Sequence, residues 1–268
     1  MLKFRSVAML AGVALLGVGC GGSEEMPQEK APMSWEEFRA SAIADENNVF
    51  VVDGDTALEG EEGLRNFYEN HVAADMGRTQ GGLAVYYIGG DIKWSATAAR
   101  NITYCVSSSS FGSRYSTVVS AMNSATAAWE ATANVNFVHL TQYDSNCTAS
   151  QSGVVFDVRQ TSTTSYLARA FFPNSSRSAR NVLISTSAFS PSRYTLAGIL
   201  RHELGHALGF RHEHTRSTSS GCYEDSQWRA LTSYDRASVM HYPQCQGTNT
   251  GDLVLTSLDK TGARALYP

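Results

Sequence analysis

The chain has 268 residues, of which 43% are hydrophobic and 17% are charged, and its formal net charge is -4. Enough apolar side chains are present to bury a core, so we expect most of the chain to fold. The charge balance gives no basic surface for nucleic acid, which excludes a nucleic-acid partner. The length accommodates a large domain together with an accessory region.

The first twenty residues have the pattern of an export signal. Lys3 and Arg5 precede an apolar run over residues 7–18, which is too short to span a bilayer as a mature helix. The run ends at Cys20, in a setting that resembles a bacterial lipoprotein signal, where the cysteine becomes the lipid-bearing N-terminus. We expect residues 1–20 to be a signal peptide. We favour a lipoprotein of the outer membrane or cell surface, anchored only through Cys20, over a freely secreted protein.

The five cysteines fit this expectation, because an odd number in an exported chain leaves one without a disulfide partner. Lipidation of Cys20 would leave four cysteines for two disulfides, which form outside the cytoplasm. Three pairings are open. We favour Cys105 with Cys147, because this pair closes a modest local loop. For the same reason we favour Cys222 with Cys245.

Residues 21–95 are predicted to form a tether followed by a propeptide-like region. Residues 21–33 are rich in Gly, Ser, Glu, Pro and Lys and offer little to bury. From Ser34 the sequence predicts a short helix, opened by a capping box with Glu37. Further elements are predicted as strands over residues 48–52 and 83–88 and as a helix over 61–71.

Residues 96–268 are predicted to form one domain of the α+β class. Long helices are predicted over residues 115–133 and 195–210. Five strands are predicted, over residues 101–106, 135–141, 154–159, 168–172 and 182–185. This order predicts a mixed five-stranded sheet with two long helices, followed by a loop-rich C-terminal lobe that ends in a helix.

One group of histidines has the spacing of metal ligands. His202 and His206 are four residues apart in a predicted helix, which puts both imidazoles on one face and within reach of one ion. Glu203 lies one step round the helix, so its carboxylate can act on a water without ligating the metal. Gly209 can adopt positive φ and turn the chain back, so that His212 supplies a third nitrogen. Three protein ligands with one position left for water describe a catalytic zinc site.

The stretch from His202 to His212 resembles the zinc motif of the metzincin metallopeptidases. Residues 238–242, Ser-Val-Met-His-Tyr, match the Met-turn of that clan, and a tyrosine two residues after the methionine is similar to the astacins. Among these peptidases, the bacterial dual-action HEIGH metallopeptidases are the most similar group. The resemblance implies a two-lobed zinc endopeptidase that acts on proteins or peptides.

The resemblance also implies roles for individual residues. Glu203 would be the general base, and Met240 would form a packing floor beneath the zinc. Tyr242 would be an additional zinc ligand that swings away and donates a hydrogen bond to the oxyanion of the transition state. A structural tyrosine in a turn is the alternative for Tyr242. Substrate would lie extended along an exposed strand edge, for which residues 168–172 are the candidate.

By the same resemblance, an aspartate of the N-terminal region would keep the enzyme latent by occupying the open position at the zinc. Two segments are similar to the astacin latch, one ending in Asp55 and one ending in Asp91. We favour Asp55, because the predicted strand before it is the stronger. Each segment can also be an ordinary Gly-Asp turn.

Two other functions remain open from the sequence. A non-catalytic, zinc-stabilised surface-binding lipoprotein would keep the three histidines but could dispense with Glu203. The other is a different zinc hydrolase on the same scaffold, such as a deacetylase or an amidase. In each case a monomer is expected.

Overall fold

The structure, a computed structural model, describes residues 33–72, 83–190, 193–216 and 227–268. The predicted signal peptide, its Cys20 and the tether up to residue 32 lie outside these residues, as does Cys222. No described helix is long and apolar enough to cross a membrane.

The boundaries of the described helices and strands follow in chain order. The strands are β1 (Ile43–Ala44), β2 (Val49–Val52), β3 (Thr56–Glu59), β4 (Ala84–Tyr86), β5 (Ile102–Val106), β6 (Phe137–His139), β7 (Phe156–Thr161), β8 (Ala168–Arg169), β9 (Asn181–Ser185) and β10 (Trp228–Ala230). The α-helices are α1 (Trp35–Ser41), α2 (Gly60–Phe67), α3 (Ala96–Ala99), α4 (Ser108–Phe111), α5 (Tyr115–Glu130), α6 (Leu196–Ala207) and α7 (Ser257–Leu266).

The N-terminal part combines α1 and α2 with an antiparallel sheet in the order β1-β2-β3. Ser34 opens α1 with the predicted capping box, because its side chain accepts from the Glu37 amide while the Glu37 carboxylate accepts from the Ser34 amide. Phe38, Phe50 and Leu64 belong to a hydrophobic core that is separate from the main one. This small core positions the β2–β3 hairpin.

The main sheet has the order β6-β5-β7-β9-β8. Its first four strands are parallel, and β8 runs antiparallel to β9 at the edge. This confirms the predicted α+β class with a mixed five-stranded sheet. The predicted edge strand over 168–172 is shorter than expected and covers only Ala168–Arg169. It stops because Phe171 and Phe172 turn into packing contacts, with Phe171 on Phe156 at 5.4 Å between ring centroids.

The two predicted long helices are α5 and α6, and they pack against each other. Trp129 near the end of α5 is fully buried, and its indole donates to the Arg201 carbonyl of α6 at 2.9 Å. The same ring stacks on Phe210, with 5.3 Å between centroids. These contacts hold α6 in a fixed position relative to the sheet.

Strand β4 does not belong to the small N-terminal sheet. It pairs antiparallel with β10, and Leu83 and Val85 are part of the main core. These apolar side chains therefore bury against residues far along the sequence and not in the small N-terminal core. The predicted boundary at residue 95 stays a prediction.

A disulfide joins Cys105 at the end of β5 to Cys147 in the segment after β6. This is the pairing favoured from the sequence. Cys245 is also disulfide-bonded, and Cys222, its favoured partner, lies outside the described residues.

Candidate metal centre

The helix α6 and the turn after it bring the three predicted histidines together. Thr195 caps the start of α6, with its hydroxyl accepting from the Gly198 amide. The Nε2 atom of His212 lies 3.3 Å from Nε2 of His202 and 3.1 Å from Nε2 of His206. All three side chains are buried. The structure thus gathers three imidazole nitrogens around one point.

Gly209 makes the return of the chain possible. Its φ is +100°, a conformation that side-chain-bearing residues rarely adopt. A Cβ at this position would also collide with the backbone oxygen of Ile92. Gly209 therefore ends α6 as predicted and lets His212 approach the two helical histidines.

The far side of each imidazole ring is fixed by a hydrogen-bond partner. His202 Nδ1 lies 2.7 Å from the Val239 carbonyl oxygen, and His206 Nδ1 lies 2.8 Å from that of Phe210. A carbonyl oxygen only accepts, so Nδ1 carries the proton in both rings. In the neutral imidazole this leaves a lone pair on each Nε2, directed at the shared point.

This arrangement fits a metal ion. With Nδ1 protonated in both rings, the Nε2 lone pairs of His202 and His206 face the same buried point and are available to a cation. Zinc with nitrogen ligands at about 2.0–2.1 Å in tetrahedral geometry places those nitrogens about 3.3 Å apart. The observed separations of 3.1 and 3.3 Å match this spacing. The donor set is therefore suited to one divalent cation.

A carboxylate from the N-terminal part completes the cluster. Asp55 Oδ2 lies 3.1 Å from Nε2 of His202, and Oδ1 lies 2.9 Å from Nε2 of His212. Oδ1 makes no hydrogen bond of acceptable geometry in the described structure although it is buried. The Asp55 oxygen and the three histidines all offer ligand atoms within 4.8 Å of one another. This is the arrangement expected of a fourth ligand to the same ion.

The turn between β2 and β3 carries Asp55 into the site. Asp53 and Gly54 both have positive φ, of 48° and 89°. Asp53 contacts the site from the other side, with Oδ2 3.0 Å from both His212 Nδ1 and His214 Nε2. The hairpin therefore holds His212 through Asp53 while it faces all three Nε2 atoms through Asp55.

The other latch candidate, Asp91, is engaged elsewhere. Its two carboxylate oxygens accept from Arg229 at 2.8 and 2.6 Å. It belongs to neither of the metal-competent groups found among the described residues. Of the two candidates, only Asp55 lies with the imidazoles.

Electrostatics keep the Asp55 carboxylate ionised. Burial alone would raise its pKa, but the charge of His212 and hydrogen bonds from the histidines outweigh burial and lower the pKa well below its ordinary value. Burial lowers the pKa of His206 to about 4. Burial also opposes the charged form of His212, yet the charges of Asp55 and Asp53 raise its pKa to about 9.

Glu203 faces the cavity beside the histidines. Its side chain is buried, and Oε2 has no hydrogen-bond partner in the described structure. Burial raises its pKa well above the ordinary value, and the charge of Asp55 acts in the same direction, against the positive charge of Arg169. Glu203 lines a cavity of about 250 Å³ together with Asp55, Tyr166, Ala168 and Tyr242.

Tyr242 and Met240 lie next to the cluster. The Tyr242 ring centroid is 4.4 Å from that of His212 and 5.6 Å from that of His202. Burial, followed by the charge of Asp55, raises the Tyr242 pKa well above its usual range, so the hydroxyl stays protonated. Met240 packs so closely on α6 that a Cβ on Gly205 would collide with its sulfur.

Two further residues beside the site are not predicted from the sequence. Asp53 holds His212 and His214, whereas the latch resemblance points only to the second aspartate of the Asp-Gly-Asp turn. Arg169 on β8 lies near enough to Glu203 for its charge to affect the pKa of that carboxyl. The Asp-Gly-Asp pattern could have pointed to Asp53, whereas no local pattern marks Arg169.

The comparisons with known proteins bear on this site. The family model for matrixin, a family of metzincin peptidases, matches residues 93–242 of the chain. No curated protein matches the sequence. The solved structure of myroilysin is similar at 20% sequence identity and a TM-score of 0.48, covering 69% of this chain and 98% of that one. The metzincin resemblance is confirmed, and the astacin-like subgroup remains a prediction. The chain belongs to the matrixin family.

Proposed function

We propose that this protein is a zinc endopeptidase with Glu203 as general base and that it is made in a latent form. Matrixins are zinc-dependent metallopeptidases, which supports peptide hydrolysis. The observation that carries the proposal is the convergence of the Nε2 atoms of His202, His206 and His212 on one buried point. These three histidines would hold a zinc ion, which would supply a Lewis acid for the hydrolysis.

Glu203 is positioned to move the proton. Its Oε2 is unpartnered in the described structure and faces the cavity, so it can accept a proton from the attacking water. The same carboxyl group can then deliver this proton to the leaving amine. Glu203 belongs to neither metal-competent group among the described residues, so it acts beside the metal ligands.

Tyr242 supplies a hydrogen-bond donor, as in the astacin-like site that the sequence resembles. Its phenol remains protonated and lies against His202 and His212. When the hairpin leaves, the hydroxyl is free to donate to the oxyanion that develops on the substrate carbonyl. We propose this role for Tyr242. We also propose that the chain is a member of the HEIGH metallopeptidase group, which its sequence resembles.

Substrate would bind as an added strand along the free edge of β8. Among the described strands β8 pairs only with β9, so its other edge has no strand partner. Ala168 of β8 and Glu203 line the same cavity, so a strand on this edge runs past the general base.

The latent form would be maintained by the β2–β3 hairpin. Asp55 occupies the point where a water is required, and Asp53 fastens the hairpin to His212 and His214. Removal of the N-terminal part would open this position. We also propose that the protein is exported, because the Cys105–Cys147 disulfide suits an oxidising compartment. After export, Cys20 would carry the lipid anchor.

Hydrolysis of a quenched fluorescent peptide library by the processed chain tests the function. We expect cleavage that a chelator abolishes and added zinc restores. The Glu203→Gln variant should bind one zinc per chain and lose nearly all turnover, since only the proton acceptor is changed. A zinc-replete wild-type chain that cleaves nothing would favour the zinc-stabilised binding lipoprotein. Full turnover by Glu203→Gln would refute the assigned base.

A further inference from the structure

Arg169 is a buried arginine on the edge strand β8 whose partner comes from the N-terminal part. Its side chain is fully buried, and its Nε donates to Asp45 Oδ2 at 2.6 Å. Its other two guanidinium nitrogens have no hydrogen-bond partner within the described ranges. A buried guanidinium with two unused donors is costly unless an anion lies beside it.

The Asp45 carboxylate is held by two donors from the catalytic part. Tyr166 donates its hydroxyl to Oδ2 at 2.6 Å, alongside the Arg169 Nε. The remaining oxygen accepts from the adjacent Glu46 amide at 2.7 Å, a contact within the N-terminal part itself. Tyr166 and Arg169 therefore form a receptor for one carboxylate.

The neighbouring pair between Arg159 and Glu46 provides a contrast. Arg159 also binds an acidic residue of the N-terminal part, but its Nε has Asp157 of β7 as a partner at 2.6 Å. Arg159 therefore keeps a counter-charge when the N-terminal part is removed. Among the described residues, the only carboxylate that forms an ion pair with Arg169 is Asp45, although Glu203 lies close enough for the Arg169 charge to affect its pKa.

The carboxylate-binding pair of Tyr166 and Arg169 lies beside the cavity that contains Glu203. Tyr166 and Ala168 line the cavity that contains Glu203, and the charge of Arg169 reaches Glu203. A peptide lying along β8 would run past Arg169, the neighbour of Ala168 in the strand. An acidic side chain of such a peptide would replace Asp45 as the ion-pair partner of Arg169.

We propose that Tyr166 and Arg169 form a substrate subsite for an aspartate or glutamate side chain, which Asp45 occupies in the latent protein. The proposal rests on the proposed peptidase function and adds its substrate class. Arg169 binds the carboxylate through its guanidinium, and the Tyr166 hydroxyl donates a further hydrogen bond. The enzyme should therefore select peptides with an acidic residue at one position near the scissile bond.

The test uses the full chain after proteolytic removal of the N-terminal part, with peptides that differ only by Asp or Asn at each position in turn. At one position we expect kcat/KM to be roughly 30-fold or more higher for Asp than for Asn. The reason is that loss of one partner from a buried charge pair weakens binding by at least this factor. In Arg169→Met this ratio should collapse to near unity, and Arg169→Lys should retain part of it. The exposed Arg114, which binds Gln160, provides the matched control Arg114→Met, whose ratio should equal that of the wild type.

A binding measurement separates this inference from the proposed function. Fluorescence anisotropy of the same peptides on the processed Glu203→Gln chain should show the same preference for Asp. Binding preference without any hydrolysis by the wild type would overturn the peptidase function and keep the subsite. Hydrolysis with equal rates for Asp and Asn at every position, or a preference that survives Arg169→Met, would overturn the subsite. If Arg169→Met does not fold, Tyr166→Phe decides, and an unchanged ratio in that variant overturns the proposal.

Discussion

Replacing Asp55 by alanine is expected to release the latent enzyme. The side chain is 6% exposed and lies 2.9–3.5 Å from Nε2 of the three histidines. Alanine removes the carboxylate that faces the metal-binding point. The rest of the β2–β3 hairpin is unchanged, because Asp55 contributes no packing to the core of the N-terminal part.

The magnitude follows from the burial of this carboxylate. Removing one partner from a buried charge pair costs about 3–5 kcal/mol. At 1.4 kcal/mol per factor of ten, the population of precursor with an open site should rise roughly 100- to 4,000-fold. Asp53 still holds His212 and His214, so the hairpin should remain partly docked rather than dissociate completely.

The assay compares the uncleaved precursors of the wild type, Asp55→Ala and Asp91→Ala. Peptide hydrolysis and the rate of limited proteolysis in the N-terminal part are measured on each, with intact mass verified before and after. Asp91→Ala is the matched control, because its carboxylate binds Arg229 and lies outside the cluster. An Asp55→Ala precursor as inactive as the wild type would refute the latch, and so would equal activation by Asp91→Ala.

Three further predictions concern the residues around the cluster. Tyr242→Phe should keep zinc and lower kcat roughly 100-fold or more through loss of the oxyanion donor, whereas an unchanged kcat would make Tyr242 structural. Gly54→Ala should loosen the hairpin and speed limited proteolysis of the precursor, because φ is +89° and the new Cβ would lie 2.9 Å from the Tyr242 hydroxyl. For Asp53, burial opposes ionisation, but His214 and His212 lower its pKa from 3.8 to about 2. A carboxyl group whose pKa is lowered in the folded state stabilises the protein at pH values above its ordinary pKa. This contribution is lost as the pH falls through about 2. The Tm difference between the wild type and Asp53→Asn should therefore shrink from pH 4 to pH 2, and a constant difference would contradict the assignment.

The local parts of the site could be read from the sequence. The spacing of His202 and His206 fixes their common helix face, and Gly209 ends that helix. The five strands and two long helices follow from hydrophobic periodicity within each segment. These features depend on neighbours a few residues away, which is why one sequence is enough to predict them.

The remaining parts depend on contacts between distant segments. Asp45 meets Arg169 across 124 positions, and Asp53 meets His212 across 159. β4 pairs with β10 rather than with the N-terminal sheet, since its side chains bury in the main core. The edge strand is short because Phe171 and Phe172 turn inward. No periodicity within a segment reveals such pairings.

Zinc-edge anomalous diffraction from crystals of the zinc-loaded protein tests the central claim most directly. We expect one strong peak about 2.0–2.1 Å from Nε2 of each of His202, His206 and His212. A peak at any other place, or no peak between these three rings, would contradict it.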